Sequence, residues 1–566
     1  MGGGTVSRKI GIGLQDFGTI RRYNAYYIDK TAFIKEWWEN LDHVTLITRP
    51  RRFGKTLTMS MVEQFFSIEY AGAEKLFEGL SIWQEEEYRK LQGTYPVISL
   101  SFANIKDREF HTARKKICQL LSNLYSRHSY LLESDVLTQK DRSFFQSVMT
   151  DMGDTEATMA VYQMSEYLAR YYGKSVIILL DEYDTPMQEA YVNGYWDEMS
   201  AFTRSLFNAA FKTNPYLERG IMTGITQVGK ESIFSDLNNL EVVTTTSEKY
   251  EDSFGFTEQE VFASLEEYGL SEKKELVKSW YDGFTFGKAQ DIYNPWSILN
   301  YLDKKKLMTY WANTSSNSLI GKLVRESSSK VKISFERLMQ GEILETGLDE
   351  QIVFNQLSVK ESAVWSMLLA SGYLKVRDYS IDERNGRETY QLALTNKEVH
   401  LMFENMIREW FSEYEESYND FIKALLKDDI KAMNLYMNRV ALATFSFFDT
   451  GKHPSARTEP ERFYHGFVLG LMVELADRYV ITSNRESGFG RYDVLLEPIA
   501  RKDKAIILEF KVFDPEEERN LNDTVQKAHE QIERMEYAKI LESKGIKEEN
   551  IRKYAFAFEG KKVLIG

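Results

Sequence analysis

The first 250 residues alternate short apolar runs with longer segments in which apolar residues recur at helical spacing. The run at 174–184 places five apolar residues in a row before a group of acids, which is typical of a parallel strand buried on both faces. Strands that alternate with helices predict an α/β fold with a parallel sheet covered on both faces. The predicted strands are 44–48, 96–102, 174–184 and 219–228, and helices between them include 111–126 and 198–212.

A different pattern occupies about 255–440, where aromatic-rich turns lead into mostly helical sequence. Thr257 begins a short helix with Glu260 three residues on, the spacing of a capping box. Residues 368–376 and 390–399 predict a helix, a turn and a two-stranded wing. Two interpretations stay open: a packed helical connector, which we favour because no basic cluster marks a recognition helix, or a nucleic-acid-binding winged helix.

From about residue 455 the pattern returns to α/β. Residues 461–480 have the spacing of an amphipathic helix. Two strands at 491–498 and 504–512 are joined by a charged hairpin, and a helix over 525–541 precedes late strands. We therefore expect three domains, with the boundaries 1–250, 251–440 and 441–566.

Composition restricts the class of protein. The chain has one cysteine, Cys118, so it cannot form an internal disulfide, and no apolar run reaches the length of about 18 residues that a membrane span needs. The start, "MGGGTVSRKI", lacks the apolar stretch of a signal peptide. We expect a cytoplasmic protein without a membrane partner.

Charge argues against a general nucleic-acid coat, because nonspecific affinity comes from Lys and Arg that meet phosphates and the net charge here is −14. The imbalance is uneven, since from Gly451 to the end 20 basic residues nearly balance 21 acidic ones. A local cationic groove in the C-terminal part therefore stays compatible with the composition.

The segment after the first predicted strand has the features of a phosphate-binding loop. Gly54 permits close backbone approach, Lys55 reaches the β- and γ-phosphates, and Thr56 offers its hydroxyl to Mg²⁺. Arg49 stands where the first glycine of such a loop is usual, so the entry is stiffer, and the arginines at 49, 51 and 52 add positive charge. The predicted nucleotide-binding residues of this loop are Arg52, Gly54, Lys55, Thr56 and Leu57.

An acidic strand end about 125 residues downstream supplies the partner that such a loop needs. Asp181 would hold Mg²⁺, mostly through water, and Glu182 would polarise the attacking water. Thr226, at the tip of the next strand, is a candidate γ-phosphate sensor; an ordinary strand-end threonine is the alternative. The two motifs together predict a site for a nucleotide and Mg²⁺.

A second candidate site lies in the last 80 residues, where Asp493 precedes Glu509-Phe510-Lys511 across a hairpin. Strand side chains alternate, so Glu509 and Lys511 face the same way and a neighbouring strand can place Asp493 beside Glu509. Two carboxylates and the Phe510 carbonyl make a hard-oxygen site for Mg²⁺ or Mn²⁺. Lys511 would hold or deprotonate water, which is the chemistry of phosphodiester hydrolysis. The alternative is that Asp493, Glu509 and Lys511 are only exposed side chains that alternate with buried ones on two ordinary strands.

Several phrases together resemble the AAA-ATPase-like family of bacterial proteins: "YYIDKTAFI", "RPRRFGKTL", "LLDEYDTP", "ESIFSDLNNL", "WYDGF", "IYNPWSI" and "LTNKEV". The resemblance covers about residues 10–560 and implies an ATP-binding AAA-like domain. It makes Arg49 a family feature and includes Asp29-Lys30-Thr31, whose role it leaves open. Gln227 departs from the family, whose members often carry Arg there, so no arginine finger is assigned.

Members of this family commonly end in a nuclease-like domain, and the Asp493/Glu509/Lys511 arrangement resembles the PD-(D/E)XK nuclease core. The resemblance implies a further acid from a preceding helix, for which Glu461 is our choice. It also suggests a Gln-x-x-x-Tyr pair after the core, but Tyr537 lies six residues after Gln531, so that pair is not carried over.

These observations predict an AAA-like P-loop ATPase domain, a helical or winged-helix connector, and an α/β nuclease-like domain that binds nucleic acid. We expect ATP to control metal-dependent cleavage, and by analogy a role in defence or mobile-element control. The alternative is an ATPase switch or scaffold whose nuclease-like domain only binds. A homo-oligomer is compatible with both.

Overall fold

The structure is a computed structural model of the 566-residue chain. It describes residues 8–227, 234, 237–311, 320, 323–324, 329–339, 341–349, 360–412, 415–444, 475, 478–483, 486–487, 490–491, 494–500, 503–515, 517–559 and 562–566. Internal contacts divide the chain into two compact units, the first with residues 1–327 and 337–402, the second with residues 328–336 and 403–566. The three-domain division expected from the sequence stays a prediction.

A parallel sheet of five strands forms the centre of the first unit. Its strands are β1 (Val44–Thr48), β2 (Val97–Ser101), β3 (Val176–Asp181), β4 (Leu217–Gly224) and β5 (Leu240–Val243), in the order β2-β3-β4-β1-β5. β1 and β3 are buried at every position, as their unbroken apolar runs predict. Because β4 separates them, the carboxyl ends of β1, β4 and β3 lie side by side at one edge of the sheet.

Helices connect these strands, and they include the two that were predicted over 111–126 and 198–212. They are α1 (Phe17–Arg22), α2 (Ala32–Glu39), α3 (Lys55–Phe66), α4 (Glu86–Arg89), α5 (Phe110–Arg127), α6 (Gln139–Ser147), α7 (Asp154–Tyr172), α8 (Thr185–Asn193) and α9 (Trp196–Phe207). A core cluster joins Ile47, Leu179 and Ile221 of the sheet to Trp37 of α2 and Phe65 of α3. The expected α/β class is confirmed.

The rest of the first unit adds two small antiparallel sheets. β6 (Phe256–Thr257), β7 (Phe284–Phe286) and β8 (Ala289–Tyr293) pair in the order β6-β8-β7, and helices α10 (Glu258–Glu267), α11 (Lys274–Tyr281) and α12 (Pro295–Lys304) accompany them. The capping box of Thr257 and Glu260 is confirmed at the start of α10.

The predicted wing is also present. After α13 (Ser329–Met339) and β9 (Leu344–Thr346), helix α14 (Glu361–Ala370) leads into a hairpin of β10 (Leu374–Asp382) and β11 (Arg387–Leu394), with β9 on the free side of β11. Helix α15 (Lys397–Ser412) follows. Its first residues count with the first unit and its residues from Phe403 with the second.

The second unit is built on a mixed sheet with helices on both faces. Its elements are α16 (Glu415–Lys427), α17 (Ile430–Thr444), β12 (Tyr479–Ser483), β13 (Glu486–Ser487), β14 (Gly490–Arg491), β15 (Val494–Pro498), β16 (Ala505–Val512), α18 (Leu521–Arg534), α19 (Tyr537–Ser543), β17 (Ile551–Glu559) and β18 (Lys562–Ile565). The strand order in the sheet is β12-β15-β16-β17-β18, and only β16 and β17 are parallel to each other. One face of the sheet packs on α16 and α17, the other on α18 and α19.

Two expectations for the second unit need correction. Residues 461–474 of the predicted helix lie outside the described residues, but Tyr479 and Val480, at its end, belong to strand β12. The single helix expected over 525–541 is divided into α18 and α19, because Glu536 takes a left-handed backbone conformation with φ of 52°.

Candidate nucleotide site and candidate metal-dependent site

The candidate nucleotide site begins where β1 turns into α3. Gly54 is the N-cap residue of α3 and has a left-handed backbone with φ of 85°. A Cβ added there would meet no atom within 4 Å, so the position requires glycine for its conformation and not for space. The first N–H groups of α3 therefore emerge directly beside the loop, where a helix attracts anions.

Lys55 occupies the interior of this loop. Its Nζ donates hydrogen bonds to the Arg49 carbonyl at 2.8 Å and to the Pro50 carbonyl at 2.9 Å, and the residue is only 5% exposed. Burial lowers the pKa of Lys55 and nearby Glu182 and Asp181 oppose that shift. Two of the three N–H donors of the ammonium are therefore engaged within the loop.

The sequence led us to expect that Arg49 adds positive charge to the phosphate-binding loop, but the structure gives its side chain a different role. Its side chain is fully buried, and its guanidinium donates to the carbonyls of Thr48 (3.1 Å) and Thr244 (2.5 Å) and lies 4.6 Å from the ring centre of Phe286. Burial lowers its pKa to about 9. Arg49 therefore ties the entry of the loop to the segment after β5, a structural role.

Arg52 is held on the outside of the loop. Its backbone is left-handed, with φ of 67°, and its guanidinium lies 3.9 Å from the ring centre of Trp296, a cation–π contact. Burial lowers the pKa of Arg52, and nearby Glu182 raises it. Its predicted role in nucleotide binding stays a prediction.

Asp181 and Thr56 meet at the edge where the strands end. The Thr56 hydroxyl donates to one Asp181 oxygen at 2.8 Å, and the Thr223 hydroxyl, from the intervening strand β4, donates to the other. Burial raises the pKa of Asp181, against the effect of these two hydroxyls. A hydroxyl and a carboxylate at this spacing form a donor set that suits Mg²⁺. Sequence reasoning missed Thr223, whose only signal is its place at the end of β4.

Glu182 directly follows Asp181 and has a left-handed backbone with φ of 51°. This conformation is uncommon for a residue with a side chain and clusters at functional sites. Its carboxylate accepts a hydrogen bond from the Thr185 hydroxyl at 3.2 Å. Glu182 therefore lies beside the Asp181 cluster on a strained turn.

Thr226 is turned towards a different carboxylate, which the sequence reading did not single out. Asp184 is buried and accepts hydrogen bonds from the Thr226 hydroxyl (3.1 Å), the Thr226 N–H (3.0 Å) and the Ile225 N–H (2.9 Å). Burial raises the pKa of Asp184, and these hydrogen bonds oppose the shift. The Thr226 hydroxyl would have to leave Asp184 to contact a phosphate, so its sensor role stays a prediction.

An apolar cavity of about 100 Å³ opens beside the start of α3. Gly54, Leu57 and Thr58 line one side of it, Tyr26 and Phe256 others. Leu57 thus contributes an apolar side chain to the wall, and its role in nucleotide binding stays a prediction. The cavity has the character of a site for a flat, mostly apolar group such as a nucleobase.

The sequence left open the role of Asp29, Lys30 and Thr31. In the structure these residues connect neighbouring segments of the first unit through hydrogen bonds and an ion pair. Asp29 accepts hydrogen bonds from the Thr31 N–H (2.9 Å) and the Ser81 N–H (2.7 Å). The Lys30 ammonium pairs with Glu260 at 2.7 Å. The motif therefore fastens the chain before α2 to the start of α10.

The candidate metal-dependent site lies on the face of β16 that α18 covers. Glu509 is 2% exposed, and one of its oxygens accepts a hydrogen bond from the Gln531 amide of α18. Lys511, two residues further, is half-buried and shares that face by strand alternation. Gln531, which the sequence reading did not assign, is therefore a direct partner of Glu509.

Two predicted residues of this site, Asp493 and Glu461, lie outside the described residues. The described register ends one step short of Asp493: Val494, its neighbour in the chain, pairs with Leu508, the neighbour of Glu509. Phe510 directs its ring to the opposite face, where it packs on Phe556 with ring centres 5.0 Å apart. Only its carbonyl is left for the predicted role.

Within the described ranges, no group of three or more His, Cys, Asp or Glu side chains is arranged to hold a metal. Over the same ranges, no helix is both long and apolar enough to cross a bilayer.

Comparison with known proteins finds two families along the chain. Residues 11–234 match the family described as "Predicted AAA-ATPase", and residues 459–566 match the family described as "PD-(D/E)XK nuclease superfamily". A protein of Azotobacter chroococcum mcd 1, described as "Uncharacterized protein in vnfD 5'region", is 24% identical over 486 residues, which cover 83% of this chain and 85% of that protein.

Among solved structures, the ORC2 protein of Aeropyrum pernix in ADPNP–ADP complexes shares 9% identity, with a TM-score of 0.23 over 67% of this chain and 92% of that chain. No inference rests on so distant a likeness. The two family matches agree with the resemblance read from the sequence motifs. The chain therefore carries a segment that matches the family "Predicted AAA-ATPase" and, after it, a segment that matches the PD-(D/E)XK nuclease superfamily.

Proposed function

We propose that the first unit binds and hydrolyses ATP and that the second unit cleaves nucleic-acid phosphodiesters with a divalent cation. The observation that carries the first part is the cluster of Thr56, Asp181 and Thr223, drawn from the ends of adjacent strands beside a loop filled by Lys55. Buried groups that satisfy one another in this way can exchange those bonds for a phosphate and its counter-ion.

Residues of the first unit have distinct roles in this proposal. Lys55 leaves its two carbonyls and neutralises phosphate charge, while the N–H groups at the start of α3 bind phosphate oxygens. Thr56 and Asp181 would hold Mg²⁺, which would supply charge neutralisation at the phosphates. Glu182 accepts a hydrogen bond from the attacking water and so orients it.

The cavity beside Leu57 takes the base in the same proposal. Its wall is mostly apolar and it adjoins Gly54 and Thr58, so a base held there would keep its phosphates at the start of α3. Stacking and burial of the base would supply affinity that a phosphate alone lacks.

In the second unit, Asp493, Glu509 and the Phe510 carbonyl would hold Mg²⁺ or Mn²⁺, with Glu461 as a further acid. The cation would lower the pKa of a water and stabilise charge on the phosphate. Lys511 holds that water or takes its proton. Gln531 keeps the Glu509 carboxylate in place through its amide hydrogen bond.

Nucleotide binding controls cleavage in this proposal. Helix α15 supports a link along the chain, since it begins in the first unit and its residues from Phe403 count with the second. A role in defence or in the control of mobile elements would suit such a nucleotide-controlled nuclease, by analogy alone.

Three variants test the proposal. Lys55→Ala should abolish ATP binding measured by calorimetry, and Glu182→Gln should keep binding but lose phosphate release. Lys511→Ala should lose Mg²⁺- or Mn²⁺-dependent cleavage of labelled DNA and RNA. If the wild type binds ATP but cleaves neither nucleic acid in any nucleotide state, the C-terminal domain serves for binding, which is the alternative function.

A further inference from the structure

Two motifs of the middle of the chain have no role in the function proposed above: "IYNPWSI" and "LTNKEV". In the first unit they meet behind the phosphate loop, together with Trp311. The carbonyl of Arg51 accepts a hydrogen bond from the Trp311 indole N–H at 3.0 Å and from the Asn294 amide at 3.3 Å. Two side chains more than 240 residues away in the sequence thus hold one peptide group of the loop.

Glu398 holds Trp311 from the other side. One Glu398 oxygen accepts the Trp311 backbone N–H at 2.6 Å, and the other accepts the Ser297 hydroxyl at 2.8 Å. Glu398 is 1% exposed, and a carboxylate so buried is costly unless its oxygens are hydrogen-bonded. We call Asn294, Ser297, Trp311 and Glu398 the loop-backing network.

Further contacts hold the side chains of Asn294 and Trp311 in place. The Asn294 side-chain oxygen caps α12 by accepting the Trp296 N–H at 2.9 Å and the Ser297 N–H at 3.3 Å. The Trp311 ring packs between Phe284 and Tyr373, with ring centres 5.5 Å and 5.4 Å away. Because both side chains are held in this way, the two N–H groups that they donate fix the direction of the Arg51 carbonyl.

Fixing that carbonyl determines where the next N–H points. In a planar trans peptide the C=O of Arg51 and the N–H of Arg52 point in opposite directions. Donors behind the loop therefore aim the Arg52 N–H away from themselves. The same contacts stabilise the left-handed backbone of Arg52, which a residue with a side chain adopts only when its surroundings hold it there.

We propose that Glu398, Trp311 and Asn294 are positioning residues for the phosphate loop, which set the direction of the peptide between Arg51 and Arg52 before nucleotide arrives. This inference rests on the proposed binding of ATP. It assigns to the middle of the chain a role in nucleotide affinity, which is distinct from the packing role of a connector. The network acts on binding and leaves Asp181 and Glu182 untouched.

The first test is Trp311→Phe in the full chain. The change keeps an aromatic ring against Phe284 and Tyr373 but removes the N–H that meets the Arg51 carbonyl. Loss of one such hydrogen bond should weaken Mg²⁺–ATP binding about three- to tenfold in calorimetry. The KM for ATP should rise by a similar factor, with kcat nearly unchanged.

Trp37→Phe is the matched control. Trp37 is also fully buried in the first unit, and its indole N–H donates to the Thr45 hydroxyl at 3.2 Å, away from the loop. It loses the same chemical group and should lower the melting temperature without changing ATP affinity. A control that weakens ATP binding as much as Trp311→Phe would overturn the inference, because general destabilisation would then explain both.

Two further variants keep the inference testable if Trp311→Phe folds poorly. Asn294→Asp retains the cap oxygen of α12 but sets a carboxylate oxygen against the Arg51 carbonyl, so it should weaken ATP binding about tenfold or more. Glu398→Gln touches no atom of the loop and should weaken binding by a smaller factor through Trp311.

The outcomes separate this inference from the function on which it rests. A wild type that binds ATP, with Trp311→Phe and Asn294→Asp that bind it equally well, overturns the inference and leaves the proposed function standing. A wild type that binds no ATP overturns both. Weaker binding in Trp311→Phe and Asn294→Asp, with Trp37→Phe unchanged, supports the positioning role.

Discussion

Each of the two candidate sites has a buried carboxylate on a strand of its sheet, but the surroundings of the two carboxylates differ. Asp181 accepts hydroxyl hydrogen bonds from Thr56 and Thr223; burial raises its pKa, and the two hydroxyls and the nearby Lys55 ammonium oppose that shift. Glu509 is as buried, and one of its oxygens accepts a hydrogen bond from the neutral amide of Gln531. The lysine of the first site is enclosed within the loop, whereas Lys511 of the second site is only half-buried.

This difference suggests how each site changes when it binds its ligand. In the first site Lys55 is bound to loop carbonyls, so its proposed transfer to a phosphate exchanges existing bonds for new ones. In the second site a cation would add charge compensation to Glu509. We therefore expect nucleotide to alter the conformation of the first site, and metal chiefly to stabilise the second.

The largest expected effect is the loss of Lys55. Lys55→Ala removes the one ammonium inside the loop and should lower ATP turnover about 100-fold or more, measured as phosphate release. Lys174→Ala is the control, because Lys174 lies before β3, at the other end of the sheet, and bonds Thr94. Equal turnover in both variants would contradict the assignment of the loop.

Arg49→Gly restores the glycine that phosphate loops usually carry. Because the Arg49 guanidinium is buried among carbonyls, this change should lower the free energy of unfolding by about 2–4 kcal/mol. Arg51→Ala, which loses only a 3.4 Å contact to Gln188, should stay within about 0.5 kcal/mol in chemical denaturation. An Arg49→Gly protein as stable as the wild type would show that Arg49 serves the ligand instead.

Gln531→Leu tests the second site. It removes the donor that holds buried Glu509 and should cost about 1–3 kcal/mol of unfolding free energy. Gln526→Leu, on the exposed side of the same helix with a bond to Glu530, should change little. A Gln531→Leu protein as stable as the wild type would contradict the comparison between the two sites, because the Gln531 amide would then contribute nothing to holding Glu509.

The smallest expected effect is a difference in pH dependence between the two units. Burial, reinforced by Asp291, raises the pKa of Asp282 in the first unit to about 7. Its folded pKa exceeds its unfolded one, so its stabilising contribution is lost as the pH rises through about 7. The melting temperature should fall as the pH rises from about 4 to about 7 and should level off by about pH 8, and Asp282→Asn should reduce that fall.

Glu518 in the second unit behaves in the opposite sense. Burial alone would raise its pKa, but the Thr524 hydroxyl, the Asp514 N–H and the Lys527 ammonium together hold it below the usual value. Its contribution is present above the unfolded pKa and is lost as the pH falls through the lower folded value. Between pH 6 and pH 8 it should therefore add no slope, and a slope that survives Asp282→Asn undiminished would contradict this assignment.

Local pattern was sufficient for the strand, loop and helix of the first site. β1 is bounded as the apolar run predicts, and Gly54, Lys55 and Thr56 follow it because their signals lie within a few residues of one another. Asp181 likewise ends an apolar run, and the parallel order of the strands brings it to Thr56. A single sequence with strong periodicity therefore predicts this part of the fold well.

Long-range partners could not be read in the same way. The sequence indicates only that Arg49 adds positive charge near the loop, because its partner Thr244, to whose carbonyl the guanidinium donates, is 195 residues away. Nothing near Trp311 or Glu398 in the sequence indicates that they meet the loop. Apolar spacing also failed at Tyr479, where tertiary pairing with Pro498 makes a strand out of a helical pattern.

Cleavage measured with and without nucleotide tests the central claim most directly. Labelled single- and double-stranded DNA and RNA are incubated with Mg²⁺ or Mn²⁺ and the wild type, Lys55→Ala or Lys511→Ala, each with ATP, with a nonhydrolysable analogue and without nucleotide. The account predicts that nucleotide changes the cleavage rate of the wild type, that Lys55→Ala loses this response, and that Lys511→Ala does not cleave. Cleavage that is identical in all nucleotide states, or that survives Lys511→Ala, would contradict it.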